Sequence, residues 1–101
     1  MFVFSDGAKT GSAEEDVRKV RDIFASLDGF KSVCLHESPV NKGLSRSVID
    51  GVSQMLNQYP DCIVLEDDLI VAPDFLSFMN NALNVYRGRG DIFSISGYTP
   101  T

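Results

Sequence analysis

Cys62-Ile63-Val64-Leu65-Glu66-Asp67-Asp68 is the stretch on which the reading of this chain turns. Four consecutive apolar residues, two of them β-branched, are what a short strand covered on both faces looks like. The run then stops at three carboxylates. In an open parallel sheet, ligands bind at the carboxyl ends of the strands, so the acids stand where chemistry is expected.

Toward the N-terminus, Leu44, Val48, Ile49, Val52, Met55, Leu56 and Tyr59 recur at spacings of three and four, predicting a helix broken at Pro60-Asp61. Before it, Val33, Cys34 and Leu35 predict a strand over 32–36, joined to that helix by a loop through Asn41-Lys42-Gly43. Earlier still, Val17, Val20, Ile23, Phe24 and Leu27 form another helical stripe, with a capping box predicted from Ser12 and Glu15 and an end at Asp28-Gly29. Phe2 to Phe4 predict an opening strand that runs into the turn Ser5-Asp6-Gly7.

Toward the C-terminus, Leu69 to Val71 continue extended, and Pro73 suits the first turn of a third helix. That helix is expected to bury Phe75, Leu76, Met79, Leu83 and Tyr86. Gly88 and Gly90 form a loop, and Ile92 to Ile95 predict a last strand. Strands alternating with helices of this length predict an α/β fold, a mainly parallel sheet flanked by helices. With no internal repeat, low-complexity tract or linker, residues 1–101 read as a single domain.

Composition narrows the function classes. A net charge of −5 argues against nucleic acid or anionic lipid as partners held by bulk electrostatics. No apolar run exceeds four residues, so no membrane-spanning helix is predicted. No basic segment leads into an apolar one as in a signal peptide, and the expectation is a cytoplasmic protein. Cys34 and Cys62 each lie in an apolar run and read as buried, reduced thiols. His36, the only histidine, reads as structural rather than as a metal ligand.

Three adjacent carboxylates repel one another unless a cation or ligand hydroxyls compensate. Oxygen-only ligands favour Mg or Mn, which commonly bridge one or two carboxylates to substrate phosphates. The alternative for Glu66, Asp67 and Asp68 is a solvated acidic turn. Asn41-Lys42-Gly43 with Arg46 combines a glycine turn, a helix start and two cations, and Lys42 or Arg46 could neutralise a diphosphate. Neither GxxxxGK nor GxGxxG is present, so no P-loop and no dinucleotide fingerprint can be invoked.

Taken in order, Phe4-Ser5-Asp6-Gly7, Asn41-Lys42-Gly43-Leu44 with Arg46-Ser47, Ile63 to Leu69, Ala72-Pro73-Asp74-Phe75-Leu76 and Ser94 to Tyr98 resemble GT-A glycosyltransferases. The resemblance is to bacterial sugar transferases related to the N-acetylglucosaminyltransferase I type, and it spans nearly the whole chain. It implies a partial GT-A domain that binds a nucleotide-sugar donor, with Asp68 holding a divalent ion, Mn or Mg, against the donor diphosphate. It further implies that Asp67 and Glu66 approach the ribose and donor sugar, and that Asp6, beside Gly7, contacts the nucleoside. Asn41, Lys42 and Arg46 complete the implied nucleotide-sugar set. No catalytic residue is expected within these residues. The resemblance implies a first strand and helix preceding Phe2, and an acceptor half with the base beyond Thr101, where an acceptor glycan or lipid-linked sugar would bind. The first strand of such sheets is interior. Its absence predicts either direct pairing of Phe2–Phe4 with Cys62–Leu65, or a homodimer in which a second copy covers the edge. An inert nucleotide-binding or self-associating fragment is the alternative function. Val64 to Asp68 also resemble the acidic pair of a receiver domain, but only 33 residues follow Asp68, too few for the phosphoacceptor strand and lysine that a receiver needs.

Overall fold

The computed structural model describes residues 1–98 and falls into two compact units, Met1–Gln58 and a second that begins at Tyr59. The described residues form an α/β structure with one two-stranded parallel sheet and three α-helices. None of those helices is long and apolar enough to cross a membrane.

In the first unit, β1 (Phe2–Ser5) pairs with β2 (Cys34–Glu37), with Phe2 opposite Cys34 and Phe4 opposite His36. Between them lies α1 (Glu14–Ala25), and after them comes α2 (Leu44–Leu56). Successive side chains of a strand point to opposite faces, which places the two helices. Phe4 faces α2, where a Cβ on Gly51 would come within 3.2 Å of its ring. Ser5 faces α1, and its hydroxyl accepts a hydrogen bond from Nε of Arg21 at 2.9 Å. The helices therefore pack on opposite faces of the sheet.

The α2 face is aromatic. His36 stacks on Phe4 with ring centroids 4.7 Å apart and planes 11° from parallel, and Gly51 lets the helix backbone approach the pair. Beside it Met55 is the buried apolar residue of the unit. His36 packs by stacking on Phe4, and its Nε2 is buried without a hydrogen-bond partner among the described residues.

Start signals differ from the prediction in α1. The Ser12–Glu15 capping box does not form. A 3₁₀ turn over Gly11–Ala13 precedes the helix, closed by the Ala13 amide donating to the Thr10 carbonyl, so Ser12 already lies inside helical phase and cannot adopt a cap conformation. Its hydroxyl pairs with that of Thr10 at 2.9 Å, and Glu15 bridges to Lys19 at 3.2 Å instead. Glu14, Glu15 and Asp16 in the first turn complement the helix dipole. The helix ends at Ala25, short of Asp28-Gly29, where the Ser26 amide donates to the Asp22 carbonyl and its hydroxyl to Ile23.

In the second unit, α3 (Phe75–Tyr86) starts directly after Pro73-Asp74. Phe75, Met79 and Leu83 are half-buried, and a Cβ on Gly97 would lie 2.7 Å from the Phe75 ring, so the segment around Gly97 packs on this face. Leu76 and Tyr86, expected in the core, are exposed. Arg87 bridges to Asp61 at 3.2 Å and ties the end of α3 to the residues before the apolar run.

Three expectations are corrected. Cys62–Leu65 and Ile92–Ile95 are irregular rather than strands. A strand exists by virtue of a neighbouring ladder, and β-branched composition without one does not suffice. Cys34 is exposed and Cys62 half-buried, both as free thiols: Cys34 lies at the start of β2, whereas α2 approaches the sheet at Phe4.

The tightest approach in the first unit is at Gly7, where a Cβ would lie 2.7 Å from the Val40 carbonyl oxygen and 2.8 Å from the Asn41 nitrogen. Those are backbone atoms that cannot rotate away. Gly7→Ala is expected to lower stability by about 1–3 kcal/mol in urea denaturation; an unchanged midpoint would show that the 40–41 loop yields freely.

Candidate functional site

The carboxyl ends of β1 and β2 carry one connected polar cluster. Asp6 follows β1 directly, and its carboxylate reaches the start of α2. Oδ1 accepts from the Gly7 amide at 2.9 Å and from the Lys42 amide at 2.8 Å; Oδ2 accepts from Lys42 at 3.1 Å and Gly43 at 2.9 Å. The Ser47 side chain adds a further donor. Gly43, at φ 82°, turns the chain so that these amides converge, and α2 has no side-chain cap at its own start. Asp6 supplies the cap from another strand. Asn41 closes the same loop, its Nδ2 donating to the Gly7 carbonyl at 2.8 Å.

Partial burial by itself raises the Asp6 carboxyl, but the Lys42, Gly7 and Gly43 amides and the Ser47 side chain outweigh it, and the net shift is downward. With these donors in place, a nucleoside hydroxyl would have to displace one of them to reach the carboxylate.

Lys42 and Arg46 converge on Asp50, at 3.4 Å and 3.1 Å. All three side chains are solvent-exposed enough for these to be weak pairs, so both cations remain exchangeable toward an anion. The structure thus gathers Asp6, Gly7, Asn41 and Lys42 into one loop cluster, with Arg46 joined through Asp50.

Arg21 is the residue that the periodicity does not reveal. Besides the Ser5 hydroxyl, its guanidinium donates to the carbonyls of Asp6 at 3.0 Å, Ser38 at 3.0 Å and Ser5 at 3.4 Å, and to Glu37 Oε2 at 3.3 Å. Its side chain is 18% exposed. The signal was there: Val17, Arg21 and Phe24 sit at i, i+4 and i+7, so an arginine interrupts an apolar face.

Two openings flank this cluster. One of about 180 Å³ lies on the α2 side, lined by Asp6, His36, Lys42 and Asp50 among others. A larger groove of about 440 Å³ lies on the α1 side, lined by Gly7, Glu14, Arg18, Arg21 and Glu37 among others. Only the second reaches the roughly 300–1,000 Å³ typical of small-molecule sites.

In the second unit, Glu66, Asp67 and Asp68 occupy an exposed turn closed by the Leu69 amide donating to the Glu66 carbonyl at 3.4 Å. None of the three carboxylates has a hydrogen-bond or ion-pair partner among the described residues. Those residues hold no group of three or more acidic, histidine or cysteine side chains that converges on a metal position. No known protein family, curated protein or solved structure matches this chain.

The Asp6 geometry fixes a pH dependence. Because its folded value lies below the ordinary 3.8, its contribution is complete above that value and is lost as the pH falls through the folded value. Asp6→Asn should cost about 2 kcal/mol at neutral pH, and the gap between wild type and variant should narrow below about pH 4. Urea titrations at neutral and acidic pH measure it; a gap that is constant or widens in acid contradicts the cap.

Proposed function

We propose that this chain is the donor-binding part of a metal-dependent glycosyltransferase of the GT-A type, one that transfers a sugar from a nucleotide-sugar to an acceptor hydroxyl. The observation that carries the reading is the turn Glu66-Asp67-Asp68, three adjacent carboxylates with no hydrogen-bond or ion-pair partner among the described residues. The sequence resemblance adds roles. Asp68 would hold Mn or Mg, and Asp67 and Glu66 would accept hydrogen bonds from ribose and sugar hydroxyls.

A bound ion supplies Lewis acidity toward the leaving diphosphate. The residues of this chain position the donor. Within the first unit, Lys42 and Arg46, paired only weakly with Asp50, are exposed cations that can turn toward an anion. Asp6 ties the Lys42 and Gly43 amides of the loop to the end of β1, so Lys42 extends from a hydrogen-bonded backbone.

Manganese binding tests the site without requiring turnover. Electron paramagnetic resonance titration of Mn against the protein, with uridine, guanosine or thymidine diphosphate present in turn, should show a bound signal that strengthens with the preferred nucleotide. Asp68→Asn should weaken it by at least about tenfold, with circular dichroism unchanged. Equal Mn binding by wild type and variant, or none by either, removes the assignment.

A further inference from the structure

Arg21 lines the groove on the α1 side, and its contacts leave one of its donors unused. A guanidinium carries five N–H groups. Nε donates to the Ser5 hydroxyl, one Nη1 hydrogen goes to Glu37 Oε2, and Nη2 supplies the carbonyls of Ser5, Asp6 and Ser38. The second Nη1 hydrogen has no acceptor among the described residues. Glu37 is half-used in the same way: Oε2 takes the pair, and Oε1 accepts nothing among those residues. A charged donor and a charged acceptor thus stand side by side, and both residues line the groove.

The remaining lining decides which ligand suits them. Glu14, Arg18 and Asp22 follow one another at i, i+4 and i+8 along α1, all three on the groove, and no ion pair joins them. With Arg21 and Glu37 they set three carboxylates against two guanidinium groups, so the charges nearly cancel. An anion entering here meets carboxylates as close as guanidinium groups, and a cation meets the reverse; like charges brought together oppose either. A neutral ligand with hydroxyls suffers neither penalty, since each hydroxyl both donates and accepts. Val17 and Pro39 add apolar surface beside the charges, which suits the C–H face of a small ring, and about 440 Å³ is room enough for one.

We propose that this groove binds a neutral vicinal polyol of monosaccharide size, with Arg21 and Glu37 as its paired anchor. One hydroxyl oxygen accepts from Arg21 Nη1 while the neighbouring hydroxyl donates to Glu37 Oε1, and both bonds are charge-assisted. Arg18 and Asp22 take further hydroxyls at the rim. The anchor is set before the ligand arrives. Arg21 is tied to the ends of β1 and β2 through the Ser5, Asp6 and Ser38 carbonyls, so little side-chain freedom is lost on binding. The site belongs to the α1 face, whereas Arg46 and Asp50 belong to α2. It uses no residue of the acidic turn and stands independently of the sugar-transfer reading.

Nuclear magnetic resonance of the full chain, without nucleotide or metal, measures the binding and locates it. Titration with myo-inositol or methyl glucopyranoside should give saturable shifts at the Ala8 and Ser38 amides and at Arg21 Nε–H. Glu37→Gln keeps an acceptor for Arg21 but puts an amide donor where Oε1 stood, and should weaken binding by about tenfold. Arg18→Ala, at an exposed position, should weaken it several-fold. Absence of saturable shifts with both polyols overturns the proposal. So does tighter binding of inorganic phosphate or methylammonium in this groove, which would make it an ion site, and so does equal affinity in a folded Glu37→Gln variant. Should that variant fail to fold, unchanged affinity in Arg18→Ala overturns the proposal by itself.

Discussion

The carboxylate of Asp6 does for α2 what a cap residue ordinarily does from within a helix, but it acts from the end of a neighbouring strand. The first amides of any helix lack intrahelical acceptors, and here Asp6 takes the amide of the N-cap Gly43 together with that of Lys42 in the loop before it. That couples the direction of α2 to the end of β1. Arg21 completes the arrangement from the opposite face. It gives donors to the Asp6 and Ser38 carbonyls, past the end of the two-stranded ladder, and to the Ser5 carbonyl, which also accepts from the Ser38 amide. An anion and a cation, one on each side of the sheet, thus satisfy the backbone groups that a small parallel sheet leaves open at its carboxyl end.

This arrangement explains what could be read in the sequence. The helices were legible because their stripes recur over three turns or more; α2 begins just after the Gly43 turn, whereas α3 begins at Phe75, two residues past the Pro73 expected in its first turn. β1 and β2 were legible because each has the other as a neighbour. Cys62–Leu65 and Ile92–Ile95 carry the same β-branched signal, but a strand is a property of a pair, and one segment's composition says nothing about whether its partner is in place. The capping box failed for a local reason: a 3₁₀ turn takes up Ser12 before the helix starts. Arg21 escapes a periodicity of apolar residues, which passes over a charged residue at a core-facing position, and shows only as the arginine that interrupts the face of Val17 and Phe24. The candidate-site residues Asp6, Gly7, Asn41 and Lys42 were legible as neighbours of a turn, although the donors that hold Asp6 are backbone amides, which sequence does not distinguish.

The acids of the two units differ in a way that bears on ligand binding. Asp6 is held by the chain itself, and its low proton affinity is a consequence of that hold. The carboxylates of Glu66, Asp67 and Asp68 are held by no side chain or amide among the described residues. Repulsion among three adjacent carboxylates falls as the countercharge nearby rises, so the triplet gains more from a divalent cation than a lone exposed acid would. Asp6 loses by the same exchange: a ligand that took its oxygens would leave amides at the start of α2 without acceptors, at a cost comparable to the hydrogen bonds it formed. Asp6 therefore acts within its own unit by shaping the loop that carries Lys42, and the acidic turn of the second unit is the group left free for a cation.

Asp50 sets the terms on which that loop could meet a diphosphate. Its carboxylate lies 3.4 Å from the Lys42 ammonium and 3.1 Å from the Arg46 Nε, and the shared acid keeps two cations close together that would otherwise repel. Because the pairs are exposed, their attraction is screened and small, and releasing either cation costs little. An incoming diphosphate would thus find two cations already gathered at the start of a helix, with amide dipoles behind them. Those amides, however, point at Asp6, so the helix dipole is partly neutralised by the protein's own anion. The attraction left for a ligand phosphate at this loop comes chiefly from the two side chains, which can swing away from Asp50, and much less from the backbone, which cannot leave Asp6 without loosening the end of β1.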